Sequence, residues 1–257
     1  MKTNQNHSLY LNQENISRSA DGIEYHPLHP FLPEGCRVLF LGSFPPQRKR
    51  WCMDFFYPNF INDHWRIEGL IFFGDKDYFV DTEAKTFRLD RIIPFLEQKG
   101  IGFYDTATAV RRLKDNASDK FLEVVEPTDI PALLGSIPQC RVIVTTGEKA
   151  TQTICHTLGI PKMPSVGKYE AISGVQTTIS ADRTSTEREI FLYRLPSSSR
   201  AYPMSLSNKA EAYRQCLIFV GWSRRVRTIL VVEILIFVIY ISIAVLYPSS
   251  IDSFTSS

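Results

Sequence analysis

Residues 37–46 read RVLFLGSFPP. The apolar run predicts a buried strand. The Gly and two prolines that close it predict a rigid loop, because proline neither donates to a sheet ladder nor continues a helix interior. Three further runs have the same build: GIGFYDT (100–106), RVIVTTG (141–147) and EIFLYRLP (189–196). Each is a compact apolar stretch ended by Gly, Pro or polar residues. Helical patterns lie between them at 62–73, 89–100 and 148–159, the last stopped by Gly159, with another at 206–221 starting from Ser207 or Asn208. Strands alternating with helices at this spacing predict an α/β domain, a three-layer α/β/α sandwich with a mostly parallel central sheet. In such sheets ligands bind beyond the carboxyl ends of the strands. The loop at 42–46 is therefore a wall of a site or simply a turn, and position alone favours the turn.

The chain has 257 residues, 44% hydrophobic and 22% charged, the balance of a globular protein rather than a disordered one. A formal net charge of +2 is too small to argue for nucleic acid by itself. Local clusters carry more, and QRKRW (47–51) stands right beside the opening loop. The five cysteines, Cys36, Cys52, Cys140, Cys155 and Cys216, contain no CxxC pair. Their odd number and scatter fit free thiols in a reducing compartment and give little support to zinc, disulfides or an iron–sulfur cluster. No cofactor or metal is expected.

Residues 1–25 form a polar lead-in without the basic-then-apolar order of a signal peptide. The domain is expected over 26–222, and the composition shifts abruptly after Trp222. ILVVEILIFVIYISIAVLY (229–247) follows the basic SRRVR (223–227) and is close to the ~20 residues that span a bilayer. Residues 223–257 are thus expected to form a basic-flanked hydrophobic helix that anchors the chain to a membrane. The competing readings are a buried helix or strand pair, and a non-native extension of the reading frame.

Three segments could carry chemistry. RWCMDFFYPNFINDHWRIEGL (50–70) packs Phe55, Phe56, Tyr57, Phe60, His64 and Trp65 around Asn59, Asn62 and Asp63. Aromatic faces with amides and a carboxylate suit a planar heterocycle. The same residues also suit a core helix capped by Asn62 or Asp63, with Trp65 buried. LPSSSRAYP (195–203) offers the hydroxyls of Ser197, Ser198 and Ser199, and then Arg200, to phosphate oxygens. It is equally an ordinary turn before a helix. DTATAVRRLKDNASD (105–119) gathers Arg111, Arg112 and Lys114 near Asn116 and Asp119; by composition alone it reads as a solvated charged loop.

The order of these pieces adds something no single one has. A strand ending in LGSFP, aromatics with Asn-x-x-Trp, then GIGFYDT…R…SD, then TTGEKA and LPSSS resembles the uracil-DNA glycosylase superfamily over about 26–221. The likeness is nearest to its hypoxanthine-type and mismatch-specific branches. It implies a monofunctional DNA glycosylase that flips a deaminated base, hypoxanthine or uracil, and excises it by hydrolysis in base-excision repair. Many members hold Asn, Asp or Glu two residues after the motif glycine, to position the attacking water. Here that position is Phe44. In the hypoxanthine-type branch, which also lacks that polar residue, the Asn of the Asn-x-Phe-Trp segment substitutes, and it matches Asn62 in NDHW. The departure leans away from uracil.

The resemblance thus implies Asn62 as the water-holding residue, with Asp63 next. Gly42, Ser43, Phe44, Pro45, Phe56 and Tyr57 are expected to line the base pocket. Ser197, Ser198, Ser199 and Arg200 are expected to grip DNA, with Lys149 reaching a phosphate or standing as an ordinary exposed lysine. The expected partner is DNA, the expected state a monomer, and the expected location cytoplasmic and nucleoid-associated, or at a membrane through 229–247. A catalytically silent nucleic-acid-binding module of the same fold, and a membrane-tethered protein of other function, are the alternatives.

Overall fold

Runs that are apolar at every position have to be covered on both faces, and three of the four predicted strands are buried along their whole length. The computed structural model describes residues 21–114, 119–172, 176–179 and 184–221. Its first half runs β1 (Ile23–Tyr25), β2 (Val38–Gly42), α1 (His64–Phe73), β3 (Val80–Asp81), β4 (Thr86–Phe87), α2 (Leu89–Lys99), β5 (Ile101–Asp105), β6 (Ala107–Arg112) and β7 (Leu122–Pro127). Then come α3 (Ile130–Ser136), β8 (Val142–Thr146), α4 (Glu148–Thr157), β9 (Lys168–Ile172), β10 (Gln176–Ile179), β11 (Thr184–Glu187), β12 (Ile190–Leu195) and α5 (Leu206–Phe219).

The result is a mixed α/β fold around a mostly parallel sheet in the order β5-β2-β8-β12-β9. β2 is parallel to both β5 and β8, β12 is parallel to β8, and β9 closes one edge antiparallel to β12. Helices cover both faces, as the two-residue period of a strand lets one check. Phe40 pairs in register with Phe103, and its ring lies 5.8 Å from His64 of α1 and 6.4 Å from Tyr213 of α5. Thr145, opposite Leu41 on the other face, meets Thr151 of α4 hydroxyl to hydroxyl at 2.9 Å.

Part of the segment expected as a charged loop is a strand. Ala107–Arg112 forms β6, the middle strand of a small antiparallel sheet, β1-β6-β7. Its buried side chains are small, Ala107, Ala109 and Val110, so the apolar signal is weak. Its two arginines look solvated in sequence but are paired: Arg111 with Glu123, and Arg112 with Glu24 of β1 at 2.8 Å.

The five cysteines are free thiols. Burial pushes the Cys36 thiol up to about 12 and the Cys140 thiol to about 11, which keeps both inert at neutral pH. Among the described residues no helix is long and apolar enough to cross a membrane. The 229–247 run lies outside the described residues, as do Asn116 and the first 20 residues of the lead-in.

Candidate functional site

All four parallel strands deliver their carboxyl ends to one open cleft of about 1060 Å³. Gly42 ends β2, Asp105 ends β5, Thr146 ends β8, and the serine loop follows β12; each of them lines the cleft. This is where an open α/β sheet leaves room for a ligand, because neighbouring connections diverge there.

The opening loop is stiffer than its prolines alone would make it. The carbonyl of Pro45 accepts from the Arg112 guanidinium, and that of Pro46 from the Trp51 indole at 2.6 Å. Phe44 lines the cleft but sends its ring into the small sheet, against Ala107, Val110 and Leu122. Arg112 lies over the ring, and His26 meets it edge-on at 5.3 Å. Ser43 hydrogen-bonds Asp119, whose carboxyl is pushed above the ordinary range mainly by burial, with Arg112 and Lys149 opposing the rise.

The aromatic segment splits into a core part and a cleft part. Trp65 is wholly buried and its indole donates to the Phe56 carbonyl at 3.1 Å, so the core reading holds for it. Phe56 is 3% exposed, stacked on Phe103, and reaches the cleft only as a wall. Tyr57 sits in the left-handed region at φ 52°, a conformation a bulky side chain holds only under constraint. Two constraints are visible: its ring stacks on His64 at 3.9 Å, and its hydroxyl shares a 2.6 Å hydrogen bond with Thr146.

Asn62 and Asp63 are adjacent in sequence and differ in what holds them. The Asn62 side-chain oxygen accepts from the His64 N–H at 2.9 Å, capping the start of α1 while the residue lines the cleft. Asp63 is not part of the lining. Its carboxylate takes the buried Lys209 ammonium at 3.0 Å and Arg200 at 3.3 Å, and its N–H donates to the Ser198 carbonyl. Asp63 thus ties the start of α1 to the serine loop and α5.

The serine loop is ordered by its own bonds. Ser197 Oγ accepts from the Ser199 N–H, Ser199 Oγ from the Ala201 N–H, and the Ser199 carbonyl from Lys209 at 2.7 Å. Ser198 is buried, whereas the Arg200 side chain is 55% exposed beside the cleft. Lys149 lies in the first turn of α4 and lines the same cleft, with Gly147 and Glu148.

The two helix-face groups beneath Tyr57 are a separate oddity. His64 and Glu68 are fully buried, 3.9 Å apart, and none of their side-chain polar atoms has a hydrogen-bond partner among the described residues. Burial pushes His64 down to about 3 and Glu68 up to about 8, so both are neutral at pH 7.

Comparison with known proteins adds little to this geometry. The fold is similar to the solution NMR structure of a "putative uracil DNA glycosylase" from Methanosarcina acetivorans. The two are 22% identical with a TM-score of 0.46, over 75% of this chain and 97% of that one. No protein-family model matches the sequence, and no curated protein matches it.

The structure gathers the expected residues Gly42, Ser43, Phe44, Pro45, Phe56, Tyr57, Asn62, Lys149, Ser197, Ser198, Ser199 and Arg200 on the cleft and leaves Asp63 behind it. Sequence reasoning gave no role to Asp105, Thr146 or His26, and named Arg112 only as part of the charged segment 105–119. A carboxylate directly after a buried strand, as in GIGFYDT, is a signal that could have found Asp105. Nothing local marks His26, which comes from the edge of the lead-in.

Proposed function

We propose that this protein is a monofunctional DNA glycosylase that flips a deaminated base into the cleft and excises it by hydrolysis. The observation that carries the reading is convergence. Five segments spread along the chain from residue 41 to residue 199, whose order resembles the uracil-DNA glycosylase superfamily, meet on one cleft at the carboxyl ends of parallel strands.

The chemistry asks for little nucleophilic power. Cleavage of a deoxynucleoside passes through an oxocarbenium-like sugar, so the enzyme must hold a water under C1′, accommodate charge on the departing base and fix the phosphates. Asn62 holds the water: the residue lines the cleft, and the bond from the His64 N–H to its side-chain oxygen fixes the amide's orientation. Phe44 cannot supply that function and is committed to the small sheet. Asp63 serves to brace the site, since its carboxylate is taken by Lys209 and Arg200. Tyr57 and Phe56 form the aromatic wall against the flipped base. Ser197, Ser199, Arg200 and Lys149, with the Arg48–Arg50 turn close by, offer donors and positive charge to the backbone. Hypoxanthine is the first substrate candidate and uracil the second. The protein acts as a monomer in the cytoplasm, on nucleoid DNA.

The test is incubation of the full-length protein with duplexes carrying hypoxanthine, uracil or xanthine, followed by alkaline cleavage at abasic sites. Cleavage at the modified position, strongest with hypoxanthine, is expected. No product from any duplex, with the protein shown to be folded, overturns the reading.

A further inference from the structure

The residue that many relatives of the resembled superfamily use to handle water is Phe44 here, yet a carboxylate stands next door. Asp105 ends β5 in register with Gly42 at the end of β2, on the cleft side of the sheet. A Cβ on Gly42 would lie 2.3 Å from Asp105 Oδ1, so the missing side chain is what lets this oxygen reach across the strand end.

The rest of Asp105 is tied down. Oδ2 accepts from His26 Nε2 at 2.9 Å, and the main-chain carbonyl accepts from the Thr128 hydroxyl at 2.7 Å. His26 is 2% exposed, and its Nδ1 lies within 3.2 Å of the Leu28 N–H and 2.9 Å of the Leu28 carbonyl. Its ring is wedged between Phe44 at 5.3 Å and Tyr104 at 4.6 Å. Phe44 therefore packs the back of the histidine that orients the carboxylate. Asp119, Tyr57 and Tyr104 are titratable groups near Asp105, and burial drives all three toward their neutral forms. The cleft-facing oxygen, Oδ1, has no hydrogen bond among the described residues.

We infer that Asp105 is a catalytic carboxylate of this site, standing beside the sugar of the flipped nucleotide, and that His26 is its positioning residue. The inference rests on the base-removal reading above. As the C1′–N bond breaks, its electron pair leaves with the base, and the carboxylate stabilises the positive charge on the sugar. The water held by Asn62 forms the new C1′–O bond, its proton passes to Asp105 and on to solvent, and the base takes up a proton from solvent. A preorganised charge at this point is worth about 10²–10³ in rate.

The test compares binding of the full-length protein to two duplexes, one with a cationic pyrrolidine in place of the sugar and one with neutral tetrahydrofuran. Wild type is expected to bind the cationic duplex at least ~10-fold tighter. Asp105→Asn is expected to lose that preference, keep tetrahydrofuran binding, and excise ~10²-fold more slowly in single turnover. His26→Gln, which keeps a donor, should retain most of the preference, and His26→Phe should lose it. Should Asp105→Asn not fold, wild type and His26→Phe carry the comparison alone. Equal wild-type affinity for the two duplexes, or a preference that survives both Asp105→Asn and His26→Phe, overturns the inference and leaves the glycosylase reading standing. Failure of wild type to bind either duplex overturns both.

Discussion

Phe44 shows why a position in a motif and a role in a site are different things. Its ring fills the space between the opening loop and the β1-β6-β7 sheet, beneath Arg112 and against His26. Replacing it with the Asn or Asp that many resembled relatives carry should not create a better enzyme. Phe44→Asn removes a buried aromatic and strands a polar group, so a loss of ~3–5 kcal/mol in urea denaturation is expected, with no gain in uracil excision. The His64–Glu68 pair makes a second residue-scale prediction. Glu68 binds a proton up to about pH 8 in the folded state but only to its ordinary value near 4.5 when unfolded. Stability therefore falls as pH rises between those limits. His64, at about 3 folded against 6.5 unfolded, works the opposite way and loses stability as pH falls through that window. The two slopes oppose each other between about 4.5 and 6.5, and from 6.5 to 8 Glu68 acts alone, at up to ~1.4 kcal/mol per pH unit. Denaturation midpoints against pH should show that decline in wild type and its absence in Glu68→Gln.

Among the elements, the tie between α1, the serine loop and α5 is the one most exposed to a single change. Lys209 is 1% exposed and has Asp63 and the Ser199 carbonyl as its partners. Asp63→Ala leaves a buried ammonium without its counter-charge, for which ~3–5 kcal/mol of destabilisation is expected. Asp63→Ala combined with Lys209→Met should recover most of the stability, because a buried pair is often replaceable by apolar side chains. Thermal unfolding of wild type and the two variants checks both statements. The elements themselves were largely legible in sequence. Continuous apolar runs ended by Gly, Pro or a polar residue marked β2, β5, β8 and β12, since buried strands carry that pattern and the Gly and Pro punctuation separates them from helices. β6 was not legible: small buried residues and cross-strand ion pairs imitate a charged loop. The contrast between Asn62 and Asp63 was equally hidden, because adjacent polar residues at a helix start differ only in what the distant residues 198–209 bring to them.

At the scale of the whole molecule, a sheet of parallel strands gathers four carboxyl ends, and the loops after them build one cleft with aromatic, amide, carboxylate and basic groups. Sequence order suggested that convergence through a resemblance, whereas the His26–Asp105 pair depended on a contact across 79 residues that no local pattern encodes. If the basic groups around the cleft grip phosphates, affinity for duplex DNA should fall steeply with salt, and Arg200→Ala should lower the slope of log K against log salt by about one. The central claim is that this cleft removes a base with Asn62 holding the water. The most direct measurement is single-turnover excision from a hypoxanthine-containing duplex by wild type and Asn62→Ala, with binding to the same DNA followed in parallel. A rate loss of ~10²–10³ with affinity within a few-fold is the expected result. An Asn62→Ala protein that excises at the wild-type rate, or a wild type that binds the duplex and never releases the base, would contradict it.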